Sequence, residues 1–483
     1  MNRHPFLIAA VALVPLLTAR AAEVEGLPKA GEPHPAQISK AQEKTLANGL
    51  RVIVIERPGL PLVSAEVLIN RGAETDPPHF AGLARFTANL LKQGTTTRSA
   101  QKIAEETEAL GAKIEMEATW DATSIKFTTL SSNTEPALGI VADLVLHPAF
   151  AKEEIERLRR ETLDELLLNL EQPGNVAKYT ASRATLGGSP YGHPEAGTPA
   201  AIAHLTRKDI LALHAHAYRP GNSFLILAGN ITAPEAFAMA GKTFGGWKAP
   251  SEDFPTTKFP APTLGRAILI DMPTAGQAAV YLSTPGILRD APDWFPGKVA
   301  NALLGGGYSS RLNQEVRVKR GLSYGAASSL STWRTGGLFM AGAQTKNESA
   351  AEVVKVIQAE IQRLSTETAP VDYLQTRQAV LTGAFDRDLE TNAGYVKRIG
   401  DLALYGLSLE KIESYVSDVE HTTPADLQTF AGKHLPADTL NVIVAGQAKI
   451  VEKPLRALFP KLEVIPLSKL DLDTPALHTT RKK

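Results

Sequence analysis

The sequence predicts an α+β fold of two homologous lobes, each a mainly antiparallel sheet packed with helices. Three observations predict it: an internal repeat, the order of strand and helix patterns within each half, and a Pro-rich polar stretch between the halves. Residues 153–187 superpose on 372–406 at an offset of 219. Ile155 then meets Leu374, Leu170-Glu171 meets Leu389-Glu390, and Gly187 meets Gly406. At an offset of 217, Thr206-x-x-Asp209-Ile210 meets Thr423-x-x-Asp426-Leu427, each a Thr N-cap with an acid in the first helical turn. At the same offset Leu225-Ile-Leu-Ala-Gly229 meets Val442-Ile-Val-Ala-Gly446, an apolar strand closed by glycine.

The elements follow in order. Residues 50–55, 62–69 and 125–130 read as strands, and helical patterns lie near 80–92, 99–110, 135–146 and 153–171. In the second half Val353, Ile357, Ile361 and Leu364 mark one helical face. The expected layout is a first lobe over 40–248, a linker over 249–264 (Pro-rich and polar), a second lobe over 265–465 and a tail over 466–483. Strands first and helices after them place the helices on one face of each sheet.

At 483 residues the chain is long enough for two cores. Arg3, the apolar run Phe6–Leu17 and Ala19-Arg20-Ala21 have the order of a secretory signal, cleaved after about Ala21. The apolar run is too short to span a bilayer, and no comparable one follows, so no membrane span is expected. There are no cysteines. Thiol nucleophiles, cysteine-ligated metals and a lipid-modified N-terminal cysteine are therefore excluded, and a large export product without disulfides fits a bacterial periplasm. Lys+Arg and Asp+Glu are 51 each, and loss of Arg3 and Arg20 leaves 49 against 51. With no basic excess, and only Arg481-Lys482-Lys483 as a basic run, nucleic-acid binding is not expected.

Gly82-Leu-Ala-Arg85-Phe-Thr-Ala88-Asn89-Leu-Leu-Lys-Gln-Gly94-Thr95 resembles the inverted zincin segment G-L-A-H-x-x-E-H…G-T of the pitrilysin/insulin-degrading metallopeptidase family. Two His at i and i+4 leave one helical face toward one zinc, and a Glu before the second His acts as base on the bound water. Here those positions carry Arg85, Ala88 and Asn89. Arginine has no lone pair to give and repels a cation, alanine accepts no proton, and asparagine is a weak neutral ligand. The family's remaining ligand, a Glu on a later helix, corresponds to Glu165. One carboxylate does not hold zinc, so no metal is expected in this chain. Arg85 paired with Glu165 in the metal's place is a further expectation. His214 and His216, two apart, leave different helical faces, and His79, His147 and His193 adjoin prolines in loops. No H-E-x-x-H, G-x-S-x-G or P-loop is present.

The second half keeps its motif. Leu303-Leu-Gly-Gly-Gly-Tyr-Ser-Ser-Arg-Leu-Asn-Gln-Glu-Val-Arg317-Val-Lys-Arg-Gly-Leu-Ser-Tyr324 resembles the family segment L-G-G-G-x-S-S-R-L-x-x-E-V-R-x-K-R-G-L-x-Y. It reads as a flexible loop at Gly305, Gly306 and Gly307, a Ser-capped helix over about 310–320, a glycine stop at 321 and a strand. The resemblance covers about 40–465 and implies a processing-peptidase-like fold, similar to mitochondrial processing peptidase subunits. It implies that Arg317 and Tyr324 hold the substrate backbone, and the developing oxyanion, beside a zinc in the facing subunit. The glycines would let the backbone approach the peptide.

The function this resemblance implies is a non-catalytic, substrate-binding subunit of a heterodimeric periplasmic zinc metallopeptidase acting on peptides or unfolded proteins. The partner is a zinc-bearing homologous subunit, which holds the only zinc expected, and the peptide adds as a strand to that subunit's sheet edge. The alternative is a catalytically inactive peptide-binding or scaffold protein of the same fold. A third reading, a lone peptidase with an unconventional metal site, requires stoichiometric zinc on the purified chain.

Overall fold

The computed structural model describes residues 38–77, 79–248 and 263–478. The signal-like segment, the basic C-terminus and all of the linker but Thr263 and Leu264 lie outside the described residues. The first lobe holds strands β1 (Ala41–Thr45), β2 (Arg51–Glu56), β3 (Leu62–Ile69), β4 (Glu115–Ala118), β5 (Thr123–Leu130) and β6 (Ser223–Gly229). Its helices are α1 (Leu83–Leu91), α2 (Ala100–Ala109), α3 (Thr134–Leu146), α4 (Lys152–Leu170), α5 (Pro173–Leu186), α6 (Pro199–His204), α7 (Arg207–Ala217) and α8 (Ala233–Phe244). The second lobe holds β7 (Ala267–Asp271), β8 (Ala278–Pro285), β9 (Ala326–Thr332), β10 (Gly337–Thr345), β11 (Asn441–Gly446) and β12 (Glu463–Pro466). Its helices are α9 (Trp294–Leu304), α10 (Ala350–Thr366), α11 (Val371–Leu389), α12 (Asn392–Leu404), α13 (Lys411–Glu420), α14 (Pro424–His434) and α15 (Ala448–Leu458).

The two sheets are copies of one plan. Their orders are β1-β2-β6-β3-β5-β4 and β12-β7-β11-β8-β10-β9. In each, the central neighbours run antiparallel, while β2–β6 and β7–β11 are parallel. They differ at one edge, where β1 forms an antiparallel hairpin with β2 but β12 lies parallel to β7. The repeat holds in register: α4 and α11 each span 19 residues at the offset of 219, and Gly187 and Gly406 both take positive φ, 54° and 65°. Thr206 and Thr423 both close capping boxes, with Asp209 and Asp426.

The sheets depart from the one-faced expectation because the lobes exchange a helix. Along β2, β3 and β6, Val52, Val54, Val63, Ala65, Leu225 and Leu227 face the first lobe's own helices. The alternate residues Ile53, Ile55, Leu68, Ile226 and Ala228 share a core with Val396, Ile399 and Leu402 of α12. Reciprocally, α5 sends Val176, Ala177, Ala181 and Ala184 against Ile268, Ile270, Ala279 and Ile443 of the second sheet. With both faces covered, the central strands become near-continuous apolar runs. Polar clasps fix each exchanged helix. Arg57 donates to Asn392 Oδ1 (2.9 Å), and Asn392 donates to Leu62 O (3.0 Å). Across the other sheet, the Thr185 and Ser283 hydroxyls lie 2.8 Å apart and Asn441 donates to Thr185 Oγ1 (3.1 Å).

Residues 466–478, expected as tail, belong to the second core. Leu472 and Leu477 are buried with α5 and the second sheet. Thr198 also donates to Asp473 Oδ1 at 2.7 Å. Apolar burial holds this segment against the second lobe.

Because Ile399 of α12 is fully buried against the other lobe's sheet, Ile399→Ala is expected to cost about 2–5 kcal/mol. Denaturant unfolding of full-length protein checks this. A single transition at lower denaturant is expected, since the exchanged helix belongs to both cores.

Candidate functional site

The emptied motif sits on α1. Gly82 starts this helix at φ 90°, where a Cβ would meet Gly197 Cα at 2.7 Å. No side chain of the helix itself caps it. Instead, buried Asp76 accepts the Gly82 and Ala84 N–H groups at 2.7 and 2.8 Å. Burial pushes the Asp76 carboxyl well above the ordinary range, against the pull of those two donors.

Helical spacing puts Arg85 and Asn89 on one open face, Arg85 exposed and Asn89 half-buried. Ala88 is fully buried in the first lobe's core. Glu165 is exposed on α4. No hydrogen bond or ion pair joins Arg85 to Glu165, so the expected pairing is corrected. Two exposed, hydrated charges gain little by closing into contact. Arg85 acts instead over a looser group. Burial raises the Tyr179 phenol, which Arg85 lowers and Glu165 raises. Burial, opposed by Arg85 and reinforced by Glu117, lifts Glu195 to about 7. Tyr179, Glu195 and Glu117 had no motif to announce them; spatial convergence alone identifies them.

These residues do not fit zinc. Arg85 and Asn89 offer a cation and an amide where two imidazoles are needed. Among the described residues no three His, Asp or Glu side chains are grouped to hold a metal. The nearby His193 has its ring nitrogens against Ala73 O and Pro194 O, at 3.1 and 3.0 Å. Burial lowers its pKa, against the pull of those two carbonyls. His214 is held to Val145 O at 2.8 Å.

In the second lobe the structure brings Arg317 and Tyr324 together. The Arg317 guanidinium carbon lies 4.6 Å from the Tyr324 ring centroid and 4.8 Å from that of Tyr308. The segment around Arg317 is a π-helix over Asn313–Val318, with Lys319 N–H donating to Gln314 O at 2.9 Å. Such wide turns recur at functional sites. Gly321 ends it at φ 61°, as the sequence suggested. The expected Ser cap does not form: the buried Ser310 hydroxyl has no partner. Asn313 ties the turn instead, donating to Tyr308 O at 2.5 Å and accepting from Ala326 N–H at 3.3 Å.

The glycines divide. A Cβ on Gly305 would meet Ser328 N at 2.2 Å, and one on Gly306 would meet Ala302 Cα at 2.6 Å. These two therefore serve close packing on β9 and α9, not flexibility, which corrects that expectation. Only Gly307 has open space around a would-be Cβ. Ser309 is pinned from α11, its hydroxyl accepting from Arg377 (2.8 Å) and its carbonyl from Tyr373 (2.9 Å).

Tyr324 is 88% exposed and Tyr308 67%. No hydrogen bond from the Arg317 guanidinium or the Tyr324 hydroxyl to another described residue is present, so both present unspent donors to solvent. Nothing bonds this pair to the α1 group; each lobe carries its own part.

Known proteins match both lobes of this chain. Residues 51–198 match the family model for insulinase (peptidase family M16), and residues 204–381 match that for the peptidase M16 inactive domain. An uncharacterized zinc protease of Mycobacterium leprae is 28% identical over 80% of this chain and 87% of its own length. One from Bacillus subtilis is 24% identical over 74% and 86%. A crystal structure of a peptidase M16 inactive domain from Pseudomonas fluorescens superposes with a TM-score of 0.78 at 27% identity, over 84% of this chain and 98% of that one. A protease from Helicobacter pylori shares the fold, with a TM-score of 0.80 at 20% identity, over 84% of this chain and 100% of that one. With lobe order, both family models and the superposition in agreement, the chain belongs to the insulinase family of peptidases, family M16.

Proposed function

We propose that this chain is the non-catalytic, substrate-binding subunit of a two-chain zinc metallopeptidase that cleaves peptides or unfolded proteins in the periplasm. Its zinc-bearing partner is a homologous subunit. The observation that carries the reading is the contrast between the lobes: Arg85, Ala88 and Asn89 replace the metal ligands and base, while Arg317 and Tyr324 stand side by side with their donors unspent. A scaffold would need no such pair. A complete enzyme would need the ligands.

In this role the guanidinium and the phenol donate to a substrate carbonyl and to the oxyanion that forms from it. Tyr308, on the other side of Arg317, holds the guanidinium between two rings and limits its rotamers. Zinc in the partner would activate water there. The signal-like N-terminus and the absence of cysteine support the periplasmic assignment. Among the described residues no helix is long and apolar enough to cross a membrane.

The test is reconstitution with a zinc-bearing homologue from the same organism. Hydrolysis of an unfolded protein should be negligible with this chain alone and should appear, or rise strongly, when both are mixed. Equal rates with and without this chain would overturn the assignment.

A further inference from the structure

Between the lobes lies an open cleft with a cavity of about 660 Å³. That volume is in the range of sites for small molecules. One wall is the side of the first sheet that turns toward the second lobe, with Glu66, Leu68 and Ser124. The other wall is built by α9, α11, α12 and α13.

Its lining is strongly cationic. Lys126, Arg289, Lys298, Lys397, Arg398 and Lys411 face three acids, Glu66, Glu117 and Asp401, a formal surplus of three positive charges. Internal pairs account for only part of this. Lys126 lies 3.7 Å from Glu66, Arg289 holds Asp401 at 2.7 Å, and Arg398 turns to Asp388, outside the lining, at 2.6 Å. Lys298 has no ion pair among the described residues.

Lys298 is the central case. It projects from α9 with its Nζ 4.7 Å from the Trp294 ring centroid and 5.6 Å from that of Tyr415. Arg289 already lies 4.0 Å from the Trp294 ring, and Arg398 5.5 Å from that of Tyr415. Three cations thus share two aromatic faces while one carboxylate, Asp401, stands among them. Burial, reinforced by Arg398, pushes the Lys298 amine down to about 8. A half-buried ammonium without an acceptor is costly, and a bound oxyanion would remove that cost.

From this geometry we infer that the inter-lobe cavity is a binding site for a small multivalent anion, one carrying two or more carboxylate or phosphate groups, with Lys298 as its central contact. The surplus charge sets the valence and the volume of the cleft sets the size. Leu68, Leu330, Leu381 and Ile412 give the anion's carbon body an apolar wall. Glu117 is shared with the group around Arg85, whereas Lys298 and the other cations of the lining take no part in the peptidase reading.

The test is calorimetric titration of the full mature chain with citrate, with inorganic pyrophosphate and with acetate, at matched ionic strength. Saturable binding of one citrate or pyrophosphate per chain is expected, and whichever binds tighter assigns carboxylate or phosphate chemistry; acetate should bind far more weakly. Lys298→Met should weaken that binding by about tenfold or more, as for loss of a charge-assisted hydrogen bond. Lys411→Ala, at the exposed rim, should weaken it less, and Lys208→Met, on the distant α7, should leave it unchanged. Thermal unfolding of Lys298→Met at or above the wild-type temperature would show that its fold is intact. No saturable binding of either multivalent anion, or equal affinity in the Lys298→Met and Lys208→Met proteins, would overturn the site.

Discussion

In the reconstituted complex, Arg317→Ala is expected to lower kcat on the order of 10²-fold, the scale of losing one oxyanion donor. The guanidinium has no hydrogen bond to another described residue to lose, so its removal leaves the fold intact. It lies against the ring faces of Tyr308 and Tyr324. Tyr324→Phe keeps that stacking and deletes only the hydroxyl. Its expected effect is of similar sign and smaller, with kcat falling more than KM rises if the donor acts on the transition state. Steady-state kinetics on the complex, with unfolding curves to confirm stability, read both. Unchanged kcat in both variants would remove the pair from the mechanism.

The largest expected effect on stability is at Arg334. This residue, at the β9–β10 turn, reaches into the first lobe and donates to Glu74 at 3.0 Å, to Asn70 and to Asp121 O at 3.1 Å. Asp121 also accepts from Tyr191 (2.6 Å), from Tyr405 (3.1 Å) and from the Arg334 N–H (2.9 Å). Tyr191 stacks on Trp333 with centroids 4.6 Å apart. Arg334→Ala removes the cation beside fully buried Asp121 and largely buried Glu74, a loss of about 3–5 kcal/mol. A loss under about 1 kcal/mol in denaturant unfolding would mean that the cluster is hydrated like a surface pair.

The same cluster makes stability depend on pH. Burial first, then the neighbouring Asp121, raises Glu74 from 4.5 to about 7 even beside Arg334. The folded chain therefore keeps a proton that the unfolded chain releases. This group's contribution is whole below pH 4.5 and is lost as pH rises through 7. The melting temperature should fall between pH 5 and 8, and Glu74→Gln should flatten that part of the profile. A Glu74→Gln profile as steep as wild type would place the titration elsewhere.

How much of this was legible in the sequence follows from which interactions are local. The repeat offsets located α4 with α11 and α7 with α14 because caps and glycine stops are written within a few residues. Strand β3 falls on Leu62–Ile69 as read, its alternation set by the pleat. The helix exchange was not legible. Val396 and Ile399 announce a buried face but not which sheet covers it. The continuous run Leu225-Ile-Leu-Ala already implied a strand covered on both sides, which was the available clue.

At the site, the identities at 85, 88 and 89 spoke for themselves, since ligand chemistry is a property of the side chain. The Arg317–Tyr324 contact followed the motif. What Gly305 does depends on Ser328, more than twenty residues on, and whether Arg85 reaches Glu165 depends on solvent exposure; neither is local. The π-helical turn likewise replaced a Ser-capped helix because Asn313 bonds both Tyr308 and Ala326.

The most direct test of the central claim is metal analysis and hydrolysis on the two separated subunits. The account predicts sub-stoichiometric zinc and no hydrolysis for this chain after exposure to zinc and gel filtration, with zinc confined to the partner. Stoichiometric zinc on this chain, together with hydrolysis by this chain alone, would contradict it.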